Sequence, residues 1–305
     1  MLTVIHHTDW DGIASAYAVK QAVRHGLIPS ETQENMRFVP ANYGDDAPLD
    51  EDIVGRHVVI VDFCYPVDVL KEIKEKAASV IVIDHHATTP ASANEAGVEL
   101  VFDDQRSGAA LVWDFYFASW KDRPTLVEYV QDHDLWRFKL PQSRTARAYL
   151  QSIPPNSIRE AEIQADIFQT NFDRVINEGA IINRFNAKVI DEALKTRHVV
   201  NIGGHMVCAF NAHVLGPETA DMAARLLESS PFFAVWKRVG DKYVVSIYKG
   251  EGRGEGLDLS EIAKAYGGGG HKNAAGFVCD ILPWNAPAAL APPSVTGKKT
   301  KSRNG

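Results

Sequence analysis

The chain has 305 residues, 45% of them apolar and 23% charged, with a formal net charge of −7. Those totals describe an ordinary globular protein, long enough for two compact domains, and they exclude a strongly basic surface for tracking long nucleic acid. Any nucleic-acid ligand is therefore expected to be short or held by a local patch, and an acidic protein that handles phosphates must first neutralise its own carboxylates, as divalent cations do. Three widely spaced cysteines, Cys64, Cys208 and Cys279, form neither a disulfide framework nor a zinc ribbon and read as small buried thiols. No apolar run is long enough to span a bilayer, and the N-terminus has no charged segment followed by a long apolar one. A cytoplasmic protein with no membrane partner is expected.

In chain order, Leu2 to Ile5 is a short apolar run that ends in His6-His7, followed by a polar loop (Thr8 to Gly12) and a helical stretch from Ile13 to about His25. Val58 to Val61 (VVIV) is β-branched and stops at Asp62, Pro66 to about Ala78 reads as a helix, and Val80 to Ile83 (VIVI) stops at Asp84. Short, wholly apolar strands alternating with helices indicate an α/β domain whose parallel sheet is covered on both faces. Helical patterns follow over Ser107 to Trp120, with Ser-Gly as its start, and over Leu126 to Val130, which runs into Asp132-His133-Asp134. Pro154-Pro155 marks a break, and Ser157 to about Lys195 reads as an amphipathic helical linker. Beyond Val199, VVNIGGHMVCAFN, PFFAVWKRVG and KYVVSIYKG read as strands around a helical ETADMAARLLES, a smaller α+β domain. The expected domains are 1–155, the linker 156–197, 198–282, and a disordered Pro/Ala/Ser/Lys-rich tail over 283–305.

Ligands of open α/β sheets bind beyond the carboxyl ends of the strands. Three apolar runs here end in metal-type residues, which ordinary Gly/Ser/Asn turn chemistry does not explain. In His6-His7-Thr8-Asp9-Trp10-Asp11-Gly12, two aspartates one residue apart can face two neighbouring ions while a histidine completes the shell; alone the segment also reads as a polar turn. Asp62, before Phe63-Cys64-Tyr65-Pro66, is by itself as well read as a helix cap. Asp84-His85-His86 offers one ligand to a metal and one donor to a phosphate. Either aspartate of Asp132-His133-Asp134 can close a metal site, or the segment is a helix C-terminal turn. Gly267-Gly268-Gly269-Gly270-His271-Lys272-Asn273 leads into a strand rather than into more linker, and its backbone N–H groups can cradle an anion. Local basic patches are available at Arg137-Phe138-Lys139 with Arg144 and Arg147, and at Lys249 with Arg253.

Together and in this order, IHHTDWDGIAS, VDF, IDHH, QDHD and GGGGHKNAAGF resemble the DHH phosphoesterase superfamily, and the Gly-rich end resembles its DHH-associated C-terminal domain. The resemblance runs over about residues 1–282 and is nearest to the branch of nanoRNases, RecJ-type exonucleases and cyclic-dinucleotide phosphodiesterases. It implies two divalent cations, Mn²⁺ first, with Mg²⁺ or Co²⁺ as other choices. Asp9 and Asp11 would each hold one ion, Asp62 would bridge both, and His85 would bind one, with His86 beside the substrate phosphate and Asp84 within the same catalytic motif. Asp132 is preferred over Asp134 as the last ligand. His6 and His7 both remain candidates, because many members have one more residue between this histidine and the first aspartate. Gly268, Gly269, Gly270 and His271 would hold the remote end of the substrate, with Ser107, Arg253 and Asn273 also on the substrate side. The implied reaction is hydrolysis of a short oligonucleotide, a dinucleotide or a pAp-like substrate by a metal-activated water, with a homodimer possible. Polyphosphate or pyrophosphate hydrolysis on the same centre, and a non-catalytic nucleotide sensor, are the rival functions.

Overall fold

Strands with no polar alternation have no side to turn to water. The computed structural model, which describes residues 1–28, 35–118, 123–227, 230–250 and 253–285, covers them on both faces. The chain divides into two units, Met1–Asn183 and Arg184–Gly305. In the first, β1 (Leu2–His7), β2 (Met36–Ala41), β3 (His57–Val61), β4 (Ser79–Asp84) and β5 (Glu99–Phe102) form a parallel sheet in the order β2-β1-β3-β4-β5. Val4, Val59, Val61 and Ile83 enter one core, against α1 (Trp10–Arg24), α5 (Gly108–Phe117), α6 (Thr125–Asp134) and α7 (Ser143–Gln151). Ile5, Val58, Ile60, Val80 and Val82 enter the other, against α3 (Val67–Lys76) and α4 (Thr89–Ala96).

The helix after β1 therefore lies on one face and the helix after β3 on the other. Where two neighbouring parallel strands send their connections to opposite faces, the chain opens a crevice at their carboxyl ends. His7 and Asp62 stand there, with Asp84 one strand further on.

β2 and β5 are not legible as strands in the sequence. MRFVPA carries Arg37 and Pro40, and ELVF has only four residues. The expected linker resolves into α8 (Ile158–Thr170) and α9 (Phe172–Lys195). Ile158, Ala161, Ala165 and Phe168 belong to the first core, so α8 is part of the first unit, and the division falls inside α9, within the stretch expected as a linker.

The second unit has a six-stranded sheet in the order β10-β11-β9-β8-β7-β6, from β6 (His198–Ile202), β7 (His205–Asn211), β8 (Phe233–Val239), β9 (Lys242–Tyr248), β10 (Gly269–Gly270) and β11 (Ala274–Cys279). Only β7 and β8 run parallel, joined through α10 (Gly216–Leu226); α11 (Leu259–Lys264) packs into the core on the opposite face of the sheet. Trp284 packs on that core, so order continues past residue 282. The ends of two expected helices, at residues 119–120 and 228–229, and the expected tail from residue 286 on lie outside the described residues. Among the described residues, no helix is long and apolar enough to cross a membrane.

Candidate metal centre

Asp9, read from sequence as part of a loop, caps α1: its Oδ1 accepts from the Gly12 N–H at 3.0 Å, which draws Trp10 to Gly12 into the first helical turn. Gly12 lies directly on β1, where an added Cβ would be 2.2 Å from the His7 carbonyl oxygen. Asp11 is buried, and its two oxygens accept from Gly108 N (2.7 Å) and Ala109 N (2.9 Å) at the start of α5, where the helix presents unpaired N–H groups and positive potential. Asp62 follows β3 with φ 56°, a conformation unusual for a residue with a side chain. Its N–H donates to Ile83 O at 3.0 Å, and a Cβ on Gly108 would stand 2.5 Å from its own Cβ. Only glycine at 108 lets the Asp62 carboxylate reach the crevice in this form.

Asp84 is wholly buried, and its carboxylate accepts from His85 N (2.7 Å), from His86 N (3.3 Å), from the Thr89 hydroxyl and from His86 Nδ1 (2.7 Å). Burial works against a charged His86, but the Asp84 carboxylate, with Asp134 and Asp11 behind it, more than offsets it and raises the imidazole above its ordinary value. Asp84 is a positioning residue: it sets the turn that carries both histidines.

His85 Nε2 stands 3.2 Å from Asp62 Oδ1, 3.5 Å from Asp134 Oδ2 and 3.7 Å from Asp11 Oδ2. His7 Nδ1 stands 3.0 Å from Asp9 Oδ2 and 4.0 Å from Asp62 Oδ2. Among the described residues three ligand-type groups result, the triads His7/Asp9/Asp62 and Asp11/His85/Asp134 and the group Asp62/Asp84/His85/His86, with the donor atoms of each within 4.8 Å of one another. Asp62 turns one oxygen toward each triad.

These residues fit a pair of divalent cations. Among the described residues, both Asp62 oxygens and His85 Nε2 are buried without a well-directed hydrogen bond, although buried polar atoms are nearly always paired. Asp9, Asp11, Asp62 and Asp134 together carry a formal charge that two divalent ions match. Burial, then the neighbouring Asp11, Asp9, Asp134 and Asp84, push the Asp62 carboxyl well above the usual carboxylate range, the response of an acid crowded by other acids with no cation between them. Burial pushes His85 down, toward the neutral imidazole that a metal requires. A mixed oxygen and imidazole donor set suits Mn²⁺ or Mg²⁺-like ions better than soft metals.

The structure chooses within the pairs that the sequence leaves open. His6 turns away, buried, with Nδ1 2.8 Å from the His7 carbonyl oxygen, so His7 is the histidine that faces the carboxylates. Asp132, preferred from the sequence, is engaged elsewhere. Its carboxylate accepts from Lys139 N (2.9 Å), Leu140 N (3.2 Å) and the Ser143 hydroxyl, and it is Asp134 that reaches His85. Ser107, expected on the substrate side, is fully buried and accepts from Ala110 N as the cap of α5.

In the second unit, the four glycines divide. A Cβ on Gly268 would meet Gly276 O at 2.1 Å, and Gly270 has φ 136° with its Cβ position 2.6 Å from Ala275 Cα; a Cβ on Gly269 would meet nothing within 4 Å. Half of the run is thus required by the β10–β11 hairpin itself. His271, Lys272 and Asn273 are exposed at its tip, where His271 N donates to Ala274 O and Asn273 O accepts from Lys249 N. Arg253 lies over the Phe233 ring and donates to Ala224 O at 2.7 Å. Gly268→Ala is expected to cost about 1–3 kcal/mol by overpacking, and Gly269→Ala less than about 0.5 kcal/mol. Urea unfolding of the two variants checks this, and equal losses would contradict the division.

A cavity of about 270 Å³ opens beside Asp9, Asp11 and Asp134, walled by Trp10, Trp136, Val130, Leu150, Arg147 and Gln151 among others. The sequence motifs give no sign of a role for either tryptophan, although each stands inside or just after a metal-type motif. The expected basic patch is partly used up by ring contacts: the Arg144 guanidinium lies 3.9 Å from the Phe138 ring centre, and that of Arg147 lies 4.5 Å from the Trp136 ring centre.

Residues 1–132 match the DHH family, N-terminal domain. Over 293 residues the chain is 27% identical to an uncharacterized protein of Acanthamoeba polyphaga mimivirus, covering 88% of this chain and spanning 64% of that relative's length. Solved structures share the fold. The DHH domain of a protein described as a member of a family of ribosomal proteins gives a TM-score of 0.61 at 16% identity, over 90% of this chain and 82% of that one. The pGpG-specific phosphodiesterase PggH of Vibrio cholerae gives 0.52 at 16% identity, over 92% and 94%. RecJ of Thermus thermophilus, in complex with Mn²⁺, gives 0.51 at 15% identity, over 92% of this chain and 49% of that one.

Proposed function

We propose that the protein is a phosphoesterase dependent on two divalent cations, Mn²⁺ first among them, that hydrolyses phosphodiester or phosphomonoester bonds of short nucleotides. The observation that carries this reading is the meeting of the two triads on Asp62, whose two buried oxygens have no other partner. His7, Asp9 and Asp62 would hold one ion, and Asp11, His85, Asp134 and Asp62 the other. Ions held there supply charge to polarise a phosphate and to make a water nucleophilic near neutral pH.

The chain's own groups do the rest. Asp11, held by two N–H groups of α5, and Asp62, held by its strand end and by Gly108, present fixed oxygens that need no reorganisation. Asp84 fixes the His86 ring and favours its protonated form, beside the site where a phosphoryl group would gain charge. The fold that the chain shares with a pGpG-specific phosphodiesterase supports the same substrate class. The Gly-rich hairpin of the second unit is proposed as a phosphate-binding element in its own right.

The test is release of product from dinucleotides, cyclic dinucleotides, pAp, longer single strands and polyphosphate, with Mn²⁺ and with chelator. Hydrolysis of the short nucleotides, lost on chelation, is expected. Failure to hydrolyse any phosphoester with metal present would sink the reading, and preference for polyphosphate would replace its substrate class.

A further inference from the structure

We propose that the cavity beside Asp9, Asp11 and Asp134 is a nucleobase-binding subsite, with Trp136 as its stacking platform and Trp10 as a second aromatic wall. The proposal rests on the phosphoesterase reading only for where the phosphate lies. The base site itself follows from the wall chemistry.

Beyond the three carboxylates, the cavity is walled by Trp10, Trp136, Val130 and Leu150, with Arg147, Gln151 and His133 as its other polar residues. Such a wall accepts a flat, uncharged, partly apolar group that has hydrogen-bonding edges. A bare polyphosphate has no ring to place against the indoles. A base attached to a phosphate matches both halves, with the charge toward the metal-type residues and the ring toward the indoles. At about 270 Å³ the space lies just below the usual range of small-molecule sites, about 300–1,000 Å³, and suits one base rather than a strand.

Both aromatic walls are fixed in advance. Trp10 lies between Asp9 and Asp11 in sequence, and its Nε1 donates to Leu150 O at 2.8 Å. Trp136 has φ 53° in a loop that Asp132 ties through Lys139 N and Leu140 N, and Arg147 stacks on its ring. A platform already in place loses little freedom when a ring settles on it. Asp132 thereby gains a part of its own, since it holds the loop that carries the platform.

The experiment compares binding of adenosine 5′-monophosphate and ribose 5-phosphate by calorimetry, with the full chain and Mn²⁺. The unmodified protein is expected to bind the nucleotide at least about tenfold more tightly, the effect of one aromatic stack. Trp136→Ala is expected to bring the two affinities within about threefold, whereas Trp136→Phe keeps most of the gap. Equal affinities in the unmodified protein would overturn the proposal without any variant, and so would a gap that survives Trp136→Ala. Hydrolysis assays keep the two readings apart. An inactive protein that still shows the gap fails as a phosphoesterase but keeps its base site, and an active one without the gap does the reverse.

Discussion

Asp62→Asn is expected to lower metal-dependent hydrolysis by about a thousandfold or more and, at the same time, to make the metal-free protein more stable. The first effect follows from charge. Asp62 belongs to one triad and stands 3.2 Å from His85 of the other, and a neutral amide there removes the shared negative ligand. A loss of about 4 kcal/mol of transition-state stabilisation corresponds to that factor, a size expected when metal-based charge stabilisation is withdrawn. The second effect follows from burial. Both Asp62 oxygens lie unpaired among other carboxylates, an arrangement that burdens the fold whenever cations are absent. Asparagine tolerates the φ of 56° at this position, so the change reads charge and not backbone strain.

The sign with pH follows from the raised Asp62 value. A carboxyl that binds its proton more tightly folded than unfolded makes stability fall as pH rises from its ordinary value of 3.8 toward its folded value. The advantage of Asp62→Asn over the chelated wild type is therefore small at low pH and grows as pH rises through that window. Each Mn²⁺ bound at a hundred times its Kd is expected to stabilise the wild type by about 2.7 kcal/mol. The variant loses most of that gain. Thermal melts with Mn²⁺ and with chelator, at several pH values, read all three effects. A metal-free variant that melts below the wild type, or one that still hydrolyses substrate, would contradict the bridging role.

Asp134→Asn and Asp132→Asn are expected to fail in opposite ways. Asp134 reaches His85 at 3.5 Å and makes no structural bond that fixes a loop. Its amide variant should fold, with hydrolysis reduced about a hundredfold or more and the affinity for one of two ions weakened. Asp132 accepts two backbone N–H groups and a hydroxyl from the segment that follows α6. Hydrogen bonds to a buried charge contribute about 1.5–3 kcal/mol each, so Asp132→Asn should cost at least about 2 kcal/mol of stability. Its metal binding should persist in the protein that stays folded. Metal stoichiometry by atomic emission, together with urea unfolding, separates the two. The opposite pattern would restore Asp132 as the ligand.

Where the chemistry lies is legible in the residue order alone. VVIV and VIVI have no polar side, so they had to be strands buried on both faces, and Asp62 and Asp84-His85-His86 had to stand at their carboxyl ends, where α/β sheets bind ligands. Less is legible within each motif, for geometric reasons. His6 and His7 are neighbours on a strand and point to opposite faces, and which face meets the carboxylates depends on how β1 is registered between β2 and β3. Asp132 and Asp134 are two residues apart on a helix, on roughly opposite sides, and only the packing of α6 decides which side meets His85. The αL turn at Asp62 needs the absent Cβ of Gly108 on a distant helix, a requirement that no local pattern carries. The Gly-rich run looks like one ligand cradle, but Gly268 and Gly270 answer to Gly276 and Ala275 across the hairpin. Trp10 and Trp136 become one cavity wall only when α1 and the segment after α6 fold against each other. Residue types and strand ends are local properties that a sequence shows directly; the face a side chain takes, and the partner it meets there, depend on contacts between segments far apart in the chain.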